Sequence, residues 1–186
     1  MSSHDLSYHA PGEIVPRRST TASETLPTYN KHLLLLPALN FPLSRQYSKK
    51  DKVAHFVHCD VTKYDQQANM FKAAKTHFGG VDIVINNAGI AERSPLWDDD
   101  KGLWKKVIDI DLSAVIEGTR LGIQAMREQG RGGVIINTAS LAGLYPQALT
   151  PVYSAAKFGV VGLTRSCKEL GDDIRVNAVA PRYVCV

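Results

Sequence analysis

The sequence predicts an α/β protein built on a parallel, doubly wound sheet. Strand-like apolar runs alternate with helical patterns between residues 53 and 179, and glycines or polar loops separate them. Two runs, Val81–Ile85 and Val134–Ile136, are continuously apolar, which is typical of strands buried on both faces of a parallel sheet. Because such sheets bind ligands at the carboxyl ends of their strands, the polar loops after these runs are the first candidates for a functional site.

Length and composition fit one globular domain. The 186 residues are 44% hydrophobic and 22% charged. No apolar run approaches the roughly 18 residues that a membrane-spanning helix needs, so we expect no membrane partner. Three cysteines without C-x-x-C spacing, and no apolar leader at the N-terminus, indicate a reducing, cytoplasmic location.

Two further binding classes are disfavoured. The formal charge of +4 is dispersed, and the densest basic clusters, Lys49–Lys52 and Lys105–Lys106, are short, so we expect no nucleic-acid partner. A metal site made of His55, His58 and Cys59 is not predicted. In a strand, residues three apart face opposite sides and do not converge on one ion.

Residues 1–50 are predicted to be a disordered or poorly patterned N-terminal segment, and residues 53–186 to form the domain. Prolines interrupt any long helix in the first segment: they are Pro11, Pro16, Pro27, Pro37 and Pro42. The run His32–Leu36 fits an edge strand or one helical turn. Since Pro37 limits its length, we interpret it as a stray hydrophobic segment.

The domain pattern begins with Val53–Cys59, which we predict as a strand closed by Asp60. Thr62 is a candidate N-cap for a helix over Lys63–Phe78. Gly79 and Gly80 then end this helix, and Val81–Ile85 follows as the next strand.

The four residues after that strand are Asn86, Asn87, Ala88 and Gly89. On residue types alone they form a polar turn. The acidic run Asp98–Asp100 suits a helix start, and a helix is predicted from there to Gln129. Apolar residues at three- and four-residue steps give it one face for the core or an interface.

The densest chemistry lies between residues 132 and 170. The strand Val134–Ile136 is followed by a polar loop that places Ser140 at its carboxyl end. Pro151 suits the first turn of a helix over Val152–Leu170, which puts Tyr153 and Lys157 one turn apart on one face. A phenol acts as a base at neutral pH only where a cation stabilises its anion. A Tyr-x-x-x-Lys pair alone also fits a solvated helical pair.

With its surroundings, this stretch resembles the short-chain dehydrogenase/reductase family. The segments that carry the resemblance are G-G-V-I-I-N-T-A-S-L-A-G and P-V-Y-S-A-A-K-F-G-V-V-G-L-T-R-S, together with the N-N-A-G turn. The resemblance implies a Rossmann-like fold, a nicotinamide cofactor, NAD or NADP, and a small alcohol or ketone substrate. It also implies a homodimer or tetramer formed through the helices 98–129 and 151–170.

The resemblance assigns roles to particular residues. Tyr153 corresponds to the tyrosine that gives or takes the substrate proton, Lys157 to the lysine on the nicotinamide ribose, and Ser140 to the serine that positions the substrate oxygen. Asp111 stands where the family has a catalytic asparagine, and an aspartate lacks the amide donor. The expected cofactor-binding residues are Asp60, Asn87, Ala88, Gly89, Tyr153, Lys157 and Pro181.

Other family features are not matched. No T-G-x-x-x-G-x-G turn for a pyrophosphate occurs upstream of Val53, and Arg182 replaces a glycine after Pro181. We therefore expect a sheet that lacks the family's first two strands and its last strand, and weak cofactor binding. The favoured function is that of an NAD(P)-dependent oxidoreductase. The alternative is a catalytically inactive truncated fragment that acts, if at all, as an interaction partner through its helical dimer face.

Overall fold

The computed structural model describes residues 33–36, 54–92, 94–99 and 101–182 of the chain. Strands and helices alternate along these residues, as the sequence predicts. The strands are β1 (Leu33–Leu36), β2 (Ile83–Asn86), β3 (Gly133–Thr138) and β4 (Ile174–Val179). The helices are α1 (Tyr64–Phe78), α2 (Leu103–Ile108), α3 (Ala114–Gln129) and α4 (Pro151–Ser166), with a π-helical segment (Asp109–Ser113) between α2 and α3.

The strands form one parallel sheet in the order β1-β2-β3-β4. In this register Asn86 at the end of β2 lies beside Asn137 of β3, and Ile136 of β3 lies beside Asn177 of β4. The predicted α/β class and parallel sheet are therefore confirmed. The carboxyl ends of β2 and β3 meet at one edge, where the candidate residues cluster.

Two predictions about strands were wrong. The run interpreted as a stray segment supplies β1, whose four residues pair in register with Ile83–Asn86 of β2. Conversely, Ala54–Cys59 of the predicted first strand has no ladder partner among the described residues. Val57 and Cys59 pack against the core while Phe56 is exposed, so this segment contributes packing contacts to the described core. Apart from β1, the predicted disordered segment 1–50 lies outside the described residues.

The described helices pack on one face of the sheet. Val84 of β2 and Ile135 of β3 are fully buried beneath α3, and Gly122 of α3 brings that helix close to both side chains. The alternate residues of β2, Ile83 and Ile85, are only half-buried. Within the described ranges, the apolar runs thus alternate between buried and half-buried residues, and the more tightly buried set lies beneath α3.

The helix termini differ from the predictions in their details. Lys63, not Thr62, is the N-cap of α1, and the Thr62 backbone N–H and hydroxyl both donate to Asp60 Oδ1, at 3.0 and 2.8 Å. Gly79 ends α1 with a positive φ of 79°, as predicted from the glycine pair. Beyond α1, the long helix predicted over 98–129 begins only at Leu103 and changes to π-helical geometry at Asp109.

Candidate active site

Lys157 is the centre of the candidate site. It lies one turn after Tyr153 in α4, which begins at Pro151 as predicted, and its side chain is 3% exposed. The ammonium donates to the Thr138 carbonyl oxygen at 2.9 Å and lies 5.5 Å from the centre of the Tyr153 ring. The predicted phenol and ammonium are therefore neighbours, and the ammonium is held at the carboxyl end of β3.

Asp111 is the counter-ion of this lysine. Its Oδ1 atom lies 3.1 Å from Lys157 Nζ, its Oδ2 atom accepts the Ile90 N–H at 2.8 Å, and its side chain is fully buried. Burial raises the pKa of the Asp111 carboxyl, and the Ile90 N–H and the Lys157 charge offset only part of that rise. Asp111 lies in the π-helical segment, a geometry that is frequent at functional sites.

The N-N-A-G turn borders the same cleft. A Cβ atom added to Gly89 would lie 2.7 Å from Asp111 Oδ1 and 3.6 Å from Lys157 Nζ, so glycine is needed for this close approach. Asn87 accepts a hydrogen bond from the Thr138 hydroxyl at 3.0 Å. Ala88, which lies between Asn87 and Gly89 in the turn, is half-buried. The turn is therefore held against β3 and the buried ion pair.

These residues border an open cleft of about 320 Å³. It is lined by Asn87, Gly89, Ile90, Ala91, Asp111, Thr138, Ala139, Tyr153 and Lys157. Five of the residues predicted from the sequence, Asn87, Gly89, Asp111, Tyr153 and Lys157, thus share one cavity. We call Asp111, Thr138, Tyr153 and Lys157 the cleft cluster.

Ser140, Pro181 and Asp60 are not among the lining residues. The Ser140 hydroxyl accepts the Ala142 N–H at 3.2 Å, and the Pro181 carbonyl oxygen accepts the Leu141 N–H at 3.0 Å, so the exit of β4 lies beside the turn that follows Ser140. Asp60 is exposed, and its hydrogen bonds from Thr62 lower the pKa of its carboxyl. Their assignments to substrate and cofactor stay predictions.

A second group of polar side chains is buried next to the cleft, and its two strand residues come one position before Asn87 and Thr138. It consists of Asn86, Thr119, Asn137 and Thr164, and we call it the bracing network. Asn137 Oδ1 accepts from Asn86 at 2.7 Å and from Thr119 at 3.2 Å, while its amide nitrogen donates to the Thr164 hydroxyl at 3.1 Å. These bonds connect β2 and β3 to α3 and, through Thr164, to the C-terminal half of α4, away from the first turn that carries Tyr153.

Sequence reasoning missed Thr138, which holds Lys157 and Asn87, and it missed Glu92. Glu92, just beyond the N-N-A-G turn, accepts the Val152 N–H at 2.6 Å and the Tyr153 N–H at 3.0 Å with its two carboxylate oxygens. The partners are 60 and 61 residues apart, so no local motif records the contact. An acidic residue in a loop next to a strand end was the only available signal.

The cleft fits one end of a nicotinamide cofactor. A buried ammonium and an adjacent phenol suit a ribose and a reacting alcohol. Gly89 has no side chain, so a ligand can approach the backbone of the turn closely. A pyrophosphate needs clustered backbone N–H groups, usually from a glycine-rich turn, and the sequence before Val53 contains only Gly12. The described residues thus fit the nicotinamide end and contribute no glycine-rich cradle.

Three other observations concern partners. Among the described residues, no group of three or more His, Cys, Asp or Glu side chains is placed to hold a metal ion. In the same part of the chain, every helix is too short or too polar to cross a membrane. Ile116 of α3 and Phe158 of α4, the helices expected to form a dimer, are each 43% exposed.

Comparisons with known proteins identify the family of the chain. A family model described as short chain dehydrogenase matches residues 24–185. The human 15-hydroxyprostaglandin dehydrogenase [NAD(+)] is 42% identical over 135 residues, which are 69% of this chain and 48% of that protein. The trans-4-hydroxycyclohexanecarboxylate dehydrogenase of Sinomonas cyclohexanicum is 44% identical over 134 residues, covering 71% of this chain and 51% of that enzyme.

Comparison with solved structures identifies the same family. A short chain dehydrogenase/reductase from Burkholderia phymatum in complex with NAD superposes with a TM-score of 0.68 at 29% identity, covering 71% of this chain and 48% of that one. A short-chain type dehydrogenase/reductase from Mycobacterium marinum has a TM-score of 0.65 at 33% identity, with 68% and 53% covered. The chain spans about half the length of the relatives that it matches. Because the family model matches most of the sequence and the fold agrees, the chain belongs to the short-chain dehydrogenase family.

Proposed function

We propose that the protein is an oxidoreductase that interconverts a secondary alcohol and a ketone with NAD or NADP. The observation that carries the proposal is the cleft in which Tyr153, Lys157 and Asp111 meet the N-N-A-G turn. Relatives named as prostaglandin and steroid dehydrogenases, one of them with NAD(+) in its name, support the reaction class. They also support NAD as the cofactor to test first.

Each proposed role follows from a side chain's chemistry. Tyr153 takes the hydroxyl proton when an alcohol is oxidised and returns it when a ketone is reduced. Lys157 stabilises the negative charge that develops on the Tyr153 oxygen, because its ammonium is buried, where the field of a charge is weakly screened. Ser140 holds the substrate oxygen by a hydrogen bond.

A nicotinamide ring, when bound, supplies the carbon that accepts or donates the hydride. Lys157, Asn87, Ala88 and Gly89 are the residues that we assign to the nicotinamide end of the cofactor. Asp60 is assigned to the adenine end of the cofactor. Pro181 is assigned to the part of the cofactor site beside Ser140. Asp111 holds the Lys157 ammonium in place and neutralises part of its charge, a role that needs no amide donor.

The proposal also includes self-association of the chain. Ile116 and Phe158 are apolar and partly exposed on the two helices that the resemblance assigns to a dimer. Sedimentation analysis of the purified chain should show a dimer or tetramer. An Ile116→Glu/Phe158→Glu variant should be monomeric, whereas an equally monomeric unaltered chain would contradict this part of the proposal.

The reaction is tested by incubating the chain with millimolar NAD(+) or NADP(+) and a panel of secondary alcohols, followed by the absorbance of the reduced nicotinamide. Turnover is expected with the unaltered chain and is expected to be lost in Tyr153→Phe, which removes only the hydroxyl. Calorimetric titration should give both proteins the same cofactor Kd. Equal turnover in the two proteins would overturn the assignment of Tyr153.

A further inference from the structure

A carboxylate from a distant loop caps the helix that carries Tyr153. Glu92 is half-buried, and each of its oxygens accepts one backbone N–H of the first turn of α4, Val152 at 2.6 Å and Tyr153 at 3.0 Å. The first N–H groups of any helix have no acceptor within the helix and need one from elsewhere. Glu92 supplies acceptors for two of them.

The usual local cap is absent from this helix. Thr150 is in the N-cap position, but its side chain accepts no cap hydrogen bond, and Pro151 at the first helical position has no N–H to donate. The Ser154 N–H is already bonded to the Thr150 carbonyl oxygen at 2.9 Å. The N–H groups of Val152 and Tyr153 are therefore the ones that need an outside acceptor, and Glu92 contacts both.

The loop that carries Glu92 is fixed at two other points beside the cleft. Asn87 accepts from the Thr138 hydroxyl, and the Ile90 N–H donates to Asp111 Oδ2. Lys157 is bonded to the Thr138 carbonyl oxygen and ion-paired with Asp111. Burial raises the pKa of the Asp111 carboxyl, and the charge of Glu92 reaches this pair by adding to that rise. The hydrogen bonds of Glu92 act on the tyrosine end of α4.

We propose that Glu92 is a positioning residue that holds the backbone of Tyr153 in place relative to Lys157 and to the cofactor-lining turn. This role rests on the proposed function, since it matters for the reaction only if Tyr153 transfers the proton. A displacement of the tyrosine by a fraction of an ångström lowers the rate of the chemical step more than it affects binding. Losing Glu92 should therefore lower kcat and leave the KM for the cofactor unchanged.

Amide hydrogen exchange of the full chain tests the contact without requiring turnover. In Glu92→Ala, the Val152 and Tyr153 amides should exchange about fivefold faster or more, the size expected for loss of a cap. Glu92→Gln keeps one carbonyl oxygen acceptor. Its exchange rates at these two amides should therefore lie between those of Glu92→Ala and those of the unaltered chain.

A matched control exists in α2. Asp99 caps that helix in the same way, accepting the Leu103 N–H at 2.9 Å and the Trp104 N–H at 2.7 Å. Asp99→Ala should speed exchange at Leu103 and Trp104 only. It should also leave the Val152 and Tyr153 amides and the kcat unchanged.

Kinetics of the same variants test the positioning role. We expect kcat to fall about tenfold in Glu92→Ala with an unchanged cofactor KM, and to be partly restored in Glu92→Gln. Unchanged protection of both amides in Glu92→Ala would overturn the contact, and lost protection with an unchanged kcat would overturn the positioning role. Absence of turnover in the unaltered chain would contradict the proposed function instead, and amide exchange would still decide whether Glu92 caps α4.

Discussion

The bracing network and the cleft cluster meet on β3, where Asn137 belongs to the first and Thr138 to the second, yet their chemistry differs. In the bracing network, Asn137 is fully buried among neutral partners and makes hydrogen bonds to Asn86, Thr119 and Thr164. In the cleft cluster, an equally buried carboxylate and ammonium face each other at the wall of a cleft of about 320 Å³.

This difference separates structural from chemical uses of buried polar groups. Neutral groups that satisfy one another stabilise the fold, and their loss leaves unpaired donors and acceptors. A buried ion pair costs desolvation energy that its attraction only partly repays, so it is weak evidence for stability. Its position beside a phenol and a cavity points to chemistry. The two groups should therefore respond differently to substitution, in stability and in turnover.

The largest effect is expected at Lys157. Lys157→Met leaves the Asp111 carboxylate buried without its cation, which should cost about 3–5 kcal/mol of unfolding free energy at neutral pH. Turnover should also be lost, and the cofactor Kd should rise. Denaturant unfolding and calorimetric titration measure the two quantities.

The matched control is the double variant Lys157→Met/Asp111→Asn, which has no uncompensated charge. It should regain most of the lost stability but no turnover. Equal instability of the single and double variants would show that the ion pair is not what Lys157→Met disrupts.

A smaller loss of stability is expected in the bracing network. Asn137→Ala removes one partner each from Asn86 and Thr164, which keep the Thr119 hydroxyl and the Val160 carbonyl oxygen, and should cost about 2–4 kcal/mol of unfolding free energy. Turnover per folded molecule should stay within about twofold of the unaltered chain, because no cleft residue changes. Thr164→Val, which removes only one bond of the network, should cost about 1 kcal/mol. If turnover fell by more than the amount of folded protein, the bracing network would have a role in the reaction itself.

The smallest effect is expected at Asp111, and it depends on pH. Because burial raises the pKa of this carboxyl in the folded state, the folded chain binds more protons than the unfolded chain between about pH 4 and the raised value. Stability relative to Asp111→Asn should therefore be highest at acid pH and should fall as pH rises through that range. Paired unfolding curves across the range measure this.

The rate at neutral pH should differ less than tenfold between Asp111→Asn and the unaltered chain, because Lys157 keeps its bond to Thr138. A constant stability difference across the pH range would contradict the raised pKa. A much larger gain in rate would show that the aspartate disables the site.

Local patterns allowed much of this fold to be predicted. The apolar runs of β2 and β3, the glycine pair after α1 and Pro151 at the start of α4 each affect only the few residues around them. They therefore leave a readable signal in the sequence. The Tyr153 and Lys157 pair was predicted for the same reason, since one helical turn fixes its spacing.

What was missed depends on contacts between distant residues. Residues 33–36 form a strand because β2 offers them a partner, whereas 54–59 have strand-like residues and no ladder partner in the described ranges. The π-helical segment around Asp111 and the Glu92 contact to α4 likewise depend on tertiary packing. Periodicity within a window of sequence does not record such contacts.

The central claim is that the cleft cluster carries the chemistry and the bracing network carries the fold. The most direct test compares turnover per folded molecule in Tyr153→Phe and Asn137→Ala, using the same alcohol and saturating nicotinamide cofactor. We expect Tyr153→Phe to lose about a hundredfold or more in rate at an unchanged melting temperature. Asn137→Ala should keep its rate at a lowered melting temperature. A Tyr153→Phe protein with the rate of the unaltered chain would contradict the account.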